Sequence, residues 1–346
     1  MEKPVTDLNA AWDLFCKNDI CDFRFQESIE KEIKTMPKCS ELYISTKTII
    51  CYLDSKIDIN KIFWKLPIIP YHKADCGILK KEIKLTTETK EDLKCMLNII
   101  ETIKEKENVK TYIITSIDNI NGRIKFKDVR KISIGLCKKD ILTTRAKQKS
   151  AFYNCFVVIL RIKKGEVFKE MHIKVFNTGK LEIPGVQDDT VLDMALDYLI
   201  KILNQIENKN ITLKPYNETV LINSNFNCNY FIDREKLFNI LKYKYNINCS
   251  FDSCSYPGIQ SKCYYNTISK NVETNETPDS VSISFMIFRT GSVLIVGKSE
   301  EYIIKIIYNY LVNIFKNEYY EIYTPSSEIT TKQDKVKRNK KIYIKI

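Results

Sequence analysis

The amino-acid sequence predicts an α+β fold in which antiparallel strands carry helices on one face. The phrase F-x-T-G-x-x-x-I-x-G occurs twice, beginning at Phe176 and at Phe288, and the two copies are 112 residues apart. Strand-like segments rich in β-branched and aromatic residues surround each copy, and a segment with helical periodicity follows it. We therefore expect two tandem copies of one hairpin-and-helix unit.

Local sequence features predict the turn and the helix of each unit. The turn is predicted at Asn177-Thr-Gly179 and at Arg289-Thr-Gly291, because glycine takes a positive φ without steric cost. Helices are predicted to begin at Asp188-Asp189 and at Ser299-Glu300-Glu301, where acidic side chains suit a first turn. Their apolar stripes are Val191, Ala195, Leu199, Ile202 and Ile206 in the first unit, and Ile303, Ile307, Leu311 and Ile314 in the second.

Further identities at the same offset extend the repeat. Tyr153-Asn154 matches Tyr265-Asn266, and Tyr198-Leu199 matches Tyr310-Leu311. We expect this alignment to hold without a gap over roughly sixty residues. The segments 45–63 and 219–238 also share a strand-turn-helix pattern, with Asp58 and Asp233 near the helix starts.

These patterns divide the chain into four parts. We predict an N-terminal helical extension at 1–39, a first repeat at 40–208, a second repeat at 215–323 and a basic tail at 324–346. The first repeat is longer because it contains an insertion at about 73–140, with a helical stretch at Thr89–Lys104 and a strand-like stretch at Thr111–Ile117.

Composition restricts the class of partner. The chain has 346 residues, is 44% hydrophobic and carries a formal charge of +12. That charge favours nucleic acid or an anionic membrane surface, and the alternative is diffuse surface charge from a lysine-rich composition. No apolar run approaches the roughly 18 residues of a membrane span, and the N-terminus lacks the layout of a signal peptide, so we expect an intracellular protein without a membrane partner. Twelve cysteines without a C-x-x-C pair, beside only two histidines, favour reduced buried thiols over a zinc site.

Basic residues concentrate in 123–149, which carries ten lysines and arginines against two aspartates. We predict phosphate contacts there, and a solvated surface is the alternative. The candidate contacts are Arg130, Lys131, Lys138, Lys139, Arg145, Lys147 and Lys149. The tail at 332–346 is a second basic patch, either an arm on DNA or a solubilising end.

Strand, helix, hairpin and long helix, twice in tandem, resemble the TATA-binding protein family. Phe176-Asn-Thr-Gly-Lys180 is similar to the family's Phe-x-Ser-Gly-Lys hairpin, and Tyr256-Pro257-Gly258 is similar to its Phe-Pro-Gly. The phrase FNTGKLEIPGV, with FYN upstream, is still more similar to the TATA-binding-protein-like factors of large cytoplasmic DNA viruses. The resemblance covers about 40–323. It implies a pseudo-twofold saddle of curved antiparallel sheets with helices on the convex face and an enlarged first repeat.

The resemblance implies that the concave face lies on the DNA minor groove and that aromatic side chains enter base steps. Carried over by motif, the candidate wedges are Phe176, Phe288 and Tyr256. The fourth wedge is missing: the 112 offset selects Thr144, and a second alignment selects Cys155. Phe152 or Phe156 is a substitute for it.

Strand alternation identifies further candidates on the same face. Lys174 shares a face with Phe176, and Lys180 and Glu182 follow in positions that face DNA in the family. In the second unit the matching positions include Leu294 and Val296, which are apolar. Glu182 is unusual beside phosphates and is able to accept from the guanine amino group, the one donor of the minor groove.

Two further sets complete the predicted interface. Thr46 or Thr48 replaces one of the family's paired asparagines, and Asn223 or Asn225 supplies the other. Arg161 is a further candidate for contact with DNA.

Three classes of function fit these observations. The first is a DNA-binding initiation factor without catalysis or cofactor, and the resemblance implies double-stranded DNA, a transcription factor B-like protein and RNA polymerase as partners. It also implies a host cytoplasmic or nuclear location, with packaging in the virion as an option. The second is an enzyme on nucleic acid, but the sequence lacks P-loop, HExxH and G-x-S-x-G motifs. The third, the runner-up, is an interaction or architectural module that uses the same saddle.

Overall fold

The structure is a computed structural model that describes residues 36–105, 107–142 and 152–325. The chain separates into the units Met1–Lys38 and Cys39–Ile346, and the second unit contains all the elements below. The predicted helical extension lies almost wholly outside the described residues, as do the basic tail from 326 onward and the candidates Thr144, Arg145, Lys147 and Lys149.

The predicted mixture of helices and antiparallel strands is confirmed. The strands are β1 Tyr43–Leu53, β2 Gly77–Thr87, β3 Val109–Asp118, β4 Phe126–Gly135, β5 Cys155–Lys164, β6 Val167–Phe176, β7 Lys180–Val186, β8 Leu213–Asn227, β9 Phe231–Ile232, β10 Asn248–Ser250, β11 Gly258–Asn266, β12 Val272–Glu273, β13 Ser280–Phe288, β14 Ser292–Gly297 and β15 Tyr323–Thr324. The helices are α1 Ile59–Lys65, α2 Lys90–Lys104, α3 Lys138–Leu142, α4 Asp189–Glu207, α5 Arg234–Asn239, α6 Glu301–Asn317 and α7 Tyr319–Ile322, with a π-helical turn at Ile240–Lys244.

Among the described residues, thirteen strands form one sheet, in which neighbouring strands pair antiparallel. Its order is β10-β11-β13-β14-β8-β1-β7-β6-β5-β2-β4-β3, with β12 attached to β11. The order is symmetric about the β8–β1 pair: β14, β13, β11 and β10 follow on one side, and β7, β6, β5 and β2 on the other. We call β1 through α4 the first half and β8 through α6 the second half.

The hairpin turns of the two halves are closed by the same contacts. Gly179 and Gly291 have φ values of 85° and 78°, as the turn prediction requires. Each glycine N–H donates to the carbonyl three residues earlier at 3.0 Å. A Cβ on Gly179 would lie 2.4 Å from the Ser55 carbonyl oxygen, and a Cβ on Gly291 would lie 2.3 Å from that of Tyr230. Both positions therefore require glycine for two reasons, backbone angle and space.

The front strand of each half is attached to its turn in the same way. The backbone N–H of Leu53 donates to the turn glycine of the first half at 2.8 Å, and that of Cys228 donates to the turn glycine of the second at 2.9 Å. Asp58 and Asp233 then cap the helices α1 and α5 with their carboxylates. Their predicted place at the helix starts is confirmed.

The long helices α4 and α6 begin at the predicted positions, after Asp188 and Glu300. The Asp188 carboxylate accepts from the Thr190 N–H at 3.0 Å, which satisfies one free donor of the first turn. The predicted stripes are buried except for Ile206, which is half-buried. The buried side chains of α4 are Val191, Leu192, Ala195, Leu196, Leu199, Ile202 and Leu203, and those of α6 are Ile303, Ile304, Ile307, Leu311, Ile314 and Phe315.

The segment at 73–140 contains both predicted elements. Helix α2 begins after its cap Thr89 and ends at Lys104, and β3 includes the stretch 111–117. Strand β2 also lies in this range, but it pairs with β5 as β10 pairs with β11 in the second half. The elements without a counterpart are therefore α2, β3, β4 and α3.

Side-chain burial alternates along the central strands. Residues on one face pack against the helices, such as Val175, Leu181 and Ile183 in the first half, while their neighbours on the other face stay half-exposed. No helix within the described ranges is both long and apolar enough to cross a bilayer.

Candidate nucleic-acid interface

We call the side of the eight central strands opposite the helices the open face. Its strands are β11, β13, β14 and β8 from the second half and β1, β7, β6 and β5 from the first. Its centre lies at the β8–β1 pair, where the Asn223 amide donates to the Thr46 hydroxyl at 3.1 Å. Asn223 lies opposite Val296, and Thr48 lies opposite Pro184 in the matching place of the first half. The predicted polar pair at the centre is thus asparagine on one side and threonine on the other.

The outer end of the second half carries two aromatic rings in contact. Phe288 ends β13, Tyr256 precedes β11, and their ring centroids are 5.9 Å apart. Gly258 lies beneath both rings: a Cβ there would lie 3.0 Å from Phe288 and 3.1 Å from Tyr256. The Arg234 guanidinium supports this loop by donating to the Pro257 carbonyl. Two of the three predicted wedges therefore form one cluster.

The outer end of the first half is also aromatic, but through a residue that the sequence reasoning missed. Cys155 pairs with Phe176 across the sheet as Gly258 pairs with Phe288. The residue in the place of Tyr256 is therefore Tyr153, two positions before Cys155.

This register corrects two sequence predictions. The gap-free alignment of Tyr153 with Tyr265 is wrong, because β5 and β11 do not keep the 112 offset. The alignment that selected Cys155 for the missing wedge is also wrong, because Cys155 takes the place of Gly258. Its side chain is buried, and burial raises the pKa of its thiol to about 11. Alignment by the partner of each phenylalanine, rather than by identities, is the signal that would have found Tyr153.

The two candidate substitutes for the missing wedge lie in different environments. Phe156 is fully buried in the core on the helix side, so it is removed as a candidate. Phe152 and Tyr153 are each 58% exposed. The Lys174 ammonium lies 4.1 Å from the ring centroid of Phe152. The Lys84 ammonium lies 3.3 Å from the Tyr153 ring and, by hydrogen bonding, lowers the pKa of its hydroxyl.

The middle of the open face differs between the halves. In the first half, the Lys174 ammonium lies 2.5 Å from a Glu182 oxygen, and the two residues are directly opposed on β6 and β7. In the second half, the opposed residues are Met286 and Leu294. Lys180 contributes another cation near the first half's outer end, 5.4 Å from the Phe176 ring centroid.

Beyond β5, charged side chains of the first half form a network. The Lys80 ammonium lies 2.8 Å from Glu82 and 2.9 Å from Asp140, and Lys131 lies 2.9 Å from Glu82. Burial alone would raise the pKa of the Glu82 carboxyl, but the two lysines outweigh it, and the pKa is below its usual value. The pKa of Asp140 is lowered despite burial by hydrogen bonds from Cys137 and Lys80. This network holds α3 against β2.

Three of the predicted DNA-binding cations are already engaged within the protein. Arg161 is buried and donates to the carbonyls of Lys73 at 2.6 Å and Tyr71 at 2.9 Å, so it fixes a loop rather than projecting from the surface. Arg130 is paired with the buried Asp128 at 2.6 Å, and Lys131 belongs to the network described above. A basic run in sequence therefore does not become a uniformly free basic surface.

Lys138 and Lys139 remain exposed on α3. The backbone N–H of Lys138 donates to Glu170 at 3.1 Å, which fixes the start of the helix while the side chain stays in solvent. Because Asp140 attaches α3 to Lys80, these two lysines border the open face.

The described cysteines are free thiols. Within the described residues, no group of three or more histidine, cysteine, aspartate or glutamate side chains is arranged to hold a metal ion. The open face presents aromatic rings at both ends, amide and hydroxyl groups at the centre, and cations along one side.

No protein-family model matches the sequence. A curated relative described as TATA-box-binding protein-like, from Acanthamoeba polyphaga mimivirus, is 27% identical over 171 residues, which are 45% of this chain and 46% of that protein. The chain thus spans about half the length of the curated relative that it matches. Among solved structures, Methanococcus jannaschii TBP is 11% identical, with a TM-score of 0.40 over 80% of this chain and 99% of its own. The resemblance to a viral TATA-box-binding protein-like protein is confirmed.

Proposed function

We propose that the protein is a TATA-binding-protein-like transcription factor that binds promoter double-stranded DNA along the open face and bends it. The proposal includes a pseudo-twofold saddle whose first repeat is enlarged by the segment after Thr87. One observation carries the proposal: aromatic side chains that are half-buried or exposed stand at both outer ends of one sheet face. They are Tyr256 with Phe288, and Tyr153 with Phe176.

The geometry suits the minor groove. Proteins that bind this groove insert apolar side chains between base steps, and the cost of unstacking is offset by the greater contact with bent DNA. Leu294 and Val296 offer a smooth apolar surface between the centre and the Phe288 end. Asn223 at the centre offers an amide that is able to donate to base acceptors. The aromatic ends would produce the kinks, and the central strands would follow the groove floor.

The electrostatic contribution comes from the rim. Lys138 and Lys139 are exposed beside the first half, and Lys180 lies near its aromatic end. Contacts between such cations and phosphates release counterions, so affinity should fall steeply with salt. Arg161 is left out of this proposal because its guanidinium is occupied by backbone carbonyls.

Partners other than DNA would bind the helix side. The polar surfaces of α4 and α6 face away from the sheet, and we propose them as the surface for a transcription factor B-like protein and RNA polymerase. The proposed site of action is the host cytoplasm or nucleus, where viral transcription takes place.

The test combines fluorescence polarisation with end-to-end FRET on short duplexes across a salt series. We expect salt-steep binding with bending, and we expect Phe288→Ala to lose most of the bending. Tyr243→Ala is the matched control, because Tyr243 is 70% exposed on the π-helical turn and is not part of the open face. Absence of duplex binding by the folded protein would refute the proposal.

A second candidate function is an interaction or architectural module. The observation in its favour is the Glu182 carboxylate on the open face, since a negative charge opposes a polyanion. Salt-steep binding without bending or base preference would support a DNA-coating protein. If the folded protein binds another protein but does not bind DNA, the interaction module is supported.

A further inference from the structure

The inference begins with one row of side chains that crosses the open face in each half. In the first half Glu182 lies between Ile50 on β1 and Lys174 on β6. In the second half the corresponding row places Leu294 between Asn225 and Met286. The backbone pairings match, so the two rows would meet corresponding base pairs of a bent duplex. Their chemistry differs at the two middle strands: Lys174 and Glu182 form an ion pair, whereas Met286 and Leu294 are apolar and lie between the amides of Gln260 and Asn225.

The Lys174–Glu182 pair offers both kinds of hydrogen-bonding group at one place. The ammonium has three donors, and the carboxylate has about four lone-pair sites, of which the 2.5 Å contact uses one. The side chains are 18% and 24% exposed, so DNA on this face would remove most of their remaining water. Each group would then need a partner on the base pair, because an unpaired buried charge is costly.

Only one class of base pair supplies both partners in the minor groove. A·T and T·A pairs present acceptors alone, whereas a G·C pair adds the guanine N2 amino donor. Glu182 would accept from this amino group, and Lys174 would donate to a neighbouring acceptor. Against A·T, the carboxylate would lose water and gain nothing. Against G·C, the side chains of Met286 and Leu294 would offer the amino group no strong acceptor.

We propose that the first half recognises a G·C base pair through Glu182 and Lys174, while the second half prefers A·T. The protein would therefore bind an asymmetric element in one direction, which two identical halves could not achieve. The inference rests on the proposed function, because it requires the open face to contact the minor groove.

The neighbouring residues favour a fixed geometry for the pair. Lys174 is held on one side by Glu182 and on the other by the Phe152 ring at 4.1 Å. Val157 and Ile50 flank the row on β5 and β1 with apolar side chains, which leave the pair as the polar feature of the row. A preorganised pair loses little side-chain freedom on binding.

The test scans one G·C pair through an A·T-rich duplex and measures affinity by fluorescence polarisation. At the best position, guanine is replaced by hypoxanthine, which removes only the amino group. In a separate duplex, 2,6-diaminopurine opposite thymine adds that group without changing the rest of the minor groove. We expect the wild type to lose affinity at least about fivefold with hypoxanthine and to regain it with diaminopurine.

The variant Lys174→Met/Glu182→Leu gives the first half the two middle residues of the second half's row. It should bind A·T-rich duplexes but show no preference for the amino group. Glu166→Gln is the control, because this carboxylate is 95% exposed at the β5–β6 turn. Circular dichroism checks folding, and the base-analogue scan of the wild type requires no variant.

The outcomes separate the two proposals. If the wild type binds and bends duplexes but removal of the amino group changes affinity less than twofold at every position, the inference is overturned while the proposed function stands. Persistence of the preference in the double variant would also overturn it. If no duplex binds, the proposed function fails, and the inference fails with it.

Discussion

On the second half of the open face, Tyr256 and Phe288 contact each other, and Met286 and Leu294 form the row beside them. On the first half, Phe176 faces Cys155, and the matching row is an ion pair. The turns, caps and long helices beneath are nevertheless alike. The difference teaches that the helix side is constrained by packing, where a change in volume is costly. The open face contributes little to the core, so its side chains are free to differ with function.

The largest expected effect concerns the turn glycines and tests whether the turns of the two halves are equivalent. Gly179→Ala and Gly291→Ala should each destabilise the protein by about 3 kcal/mol, since they combine a left-handed backbone with a clash against a carbonyl. Gly185→Ala is the control: its φ is 80°, but nothing lies within 4 Å of the added Cβ, so about 1 kcal/mol is expected. Denaturant unfolding measures all three. Clearly unequal losses at Gly179 and Gly291 would contradict the equivalence of the turns, and an equally large loss at Gly185 would contradict the role of the carbonyl clash.

Tyr153 tests whether the aromatic ends are equivalent. Tyr153→Ala should reduce DNA bending as Tyr256→Ala does and should weaken binding by about 1–3 kcal/mol, the usual value of an aromatic contact with a base. Phe152→Ala tests the competing candidate, because Phe152 has the same 58% exposure but does not hold the place of Tyr256, and Tyr243→Ala is the control outside the open face. FRET bending assays decide between them. A greater loss with Phe152→Ala would transfer the wedge to that residue.

Measurements of stability and of salt-dependent affinity should distinguish the buried cation of the first half from its exposed cations. Arg161→Met should lower the free energy of unfolding by about 2 kcal/mol, because two loop carbonyls lose their donor. Lys138→Ala/Lys139→Ala should leave stability unchanged and reduce the slope of log affinity against log salt by about 2. The reverse pattern would show that Arg161 contacts phosphate.

The smallest effect concerns acid stability, and it sharpens the contrast between the charged and the apolar half. The pKa of Glu82 is lower in the folded state than its usual value, so the unfolded chain takes up the proton first. The stabilisation by Glu82 is therefore present above the usual glutamate pKa and is lost as pH falls through the folded-state pKa. Glu82→Gln should flatten the pH dependence of unfolding in acid. An unchanged profile would show that Lys80 and Lys131 do not stabilise the charged carboxylate.

The sequence alone predicted the elements whose causes are local. Glycines with positive φ marked both turns, and aspartates marked the starts of α1 and α5. A periodicity of apolar residues placed α4 and α6, and alternation identified which side chains of β7 and β14 share a face. These features depend on residues a few positions apart, so the chain carries them without reference to its fold.

Only the tertiary structure decided which residues lie opposite one another. The pairing of Cys155 with Phe176 revealed Tyr153, which identities at a constant offset could not find. The burial of Arg161 and the pairing of Lys131 with Glu82 depend on segments that lie side by side in the folded sheet. The physical reason is that strand register is set by contacts between distant segments, and insertions of different length change the sequence offset without changing the register.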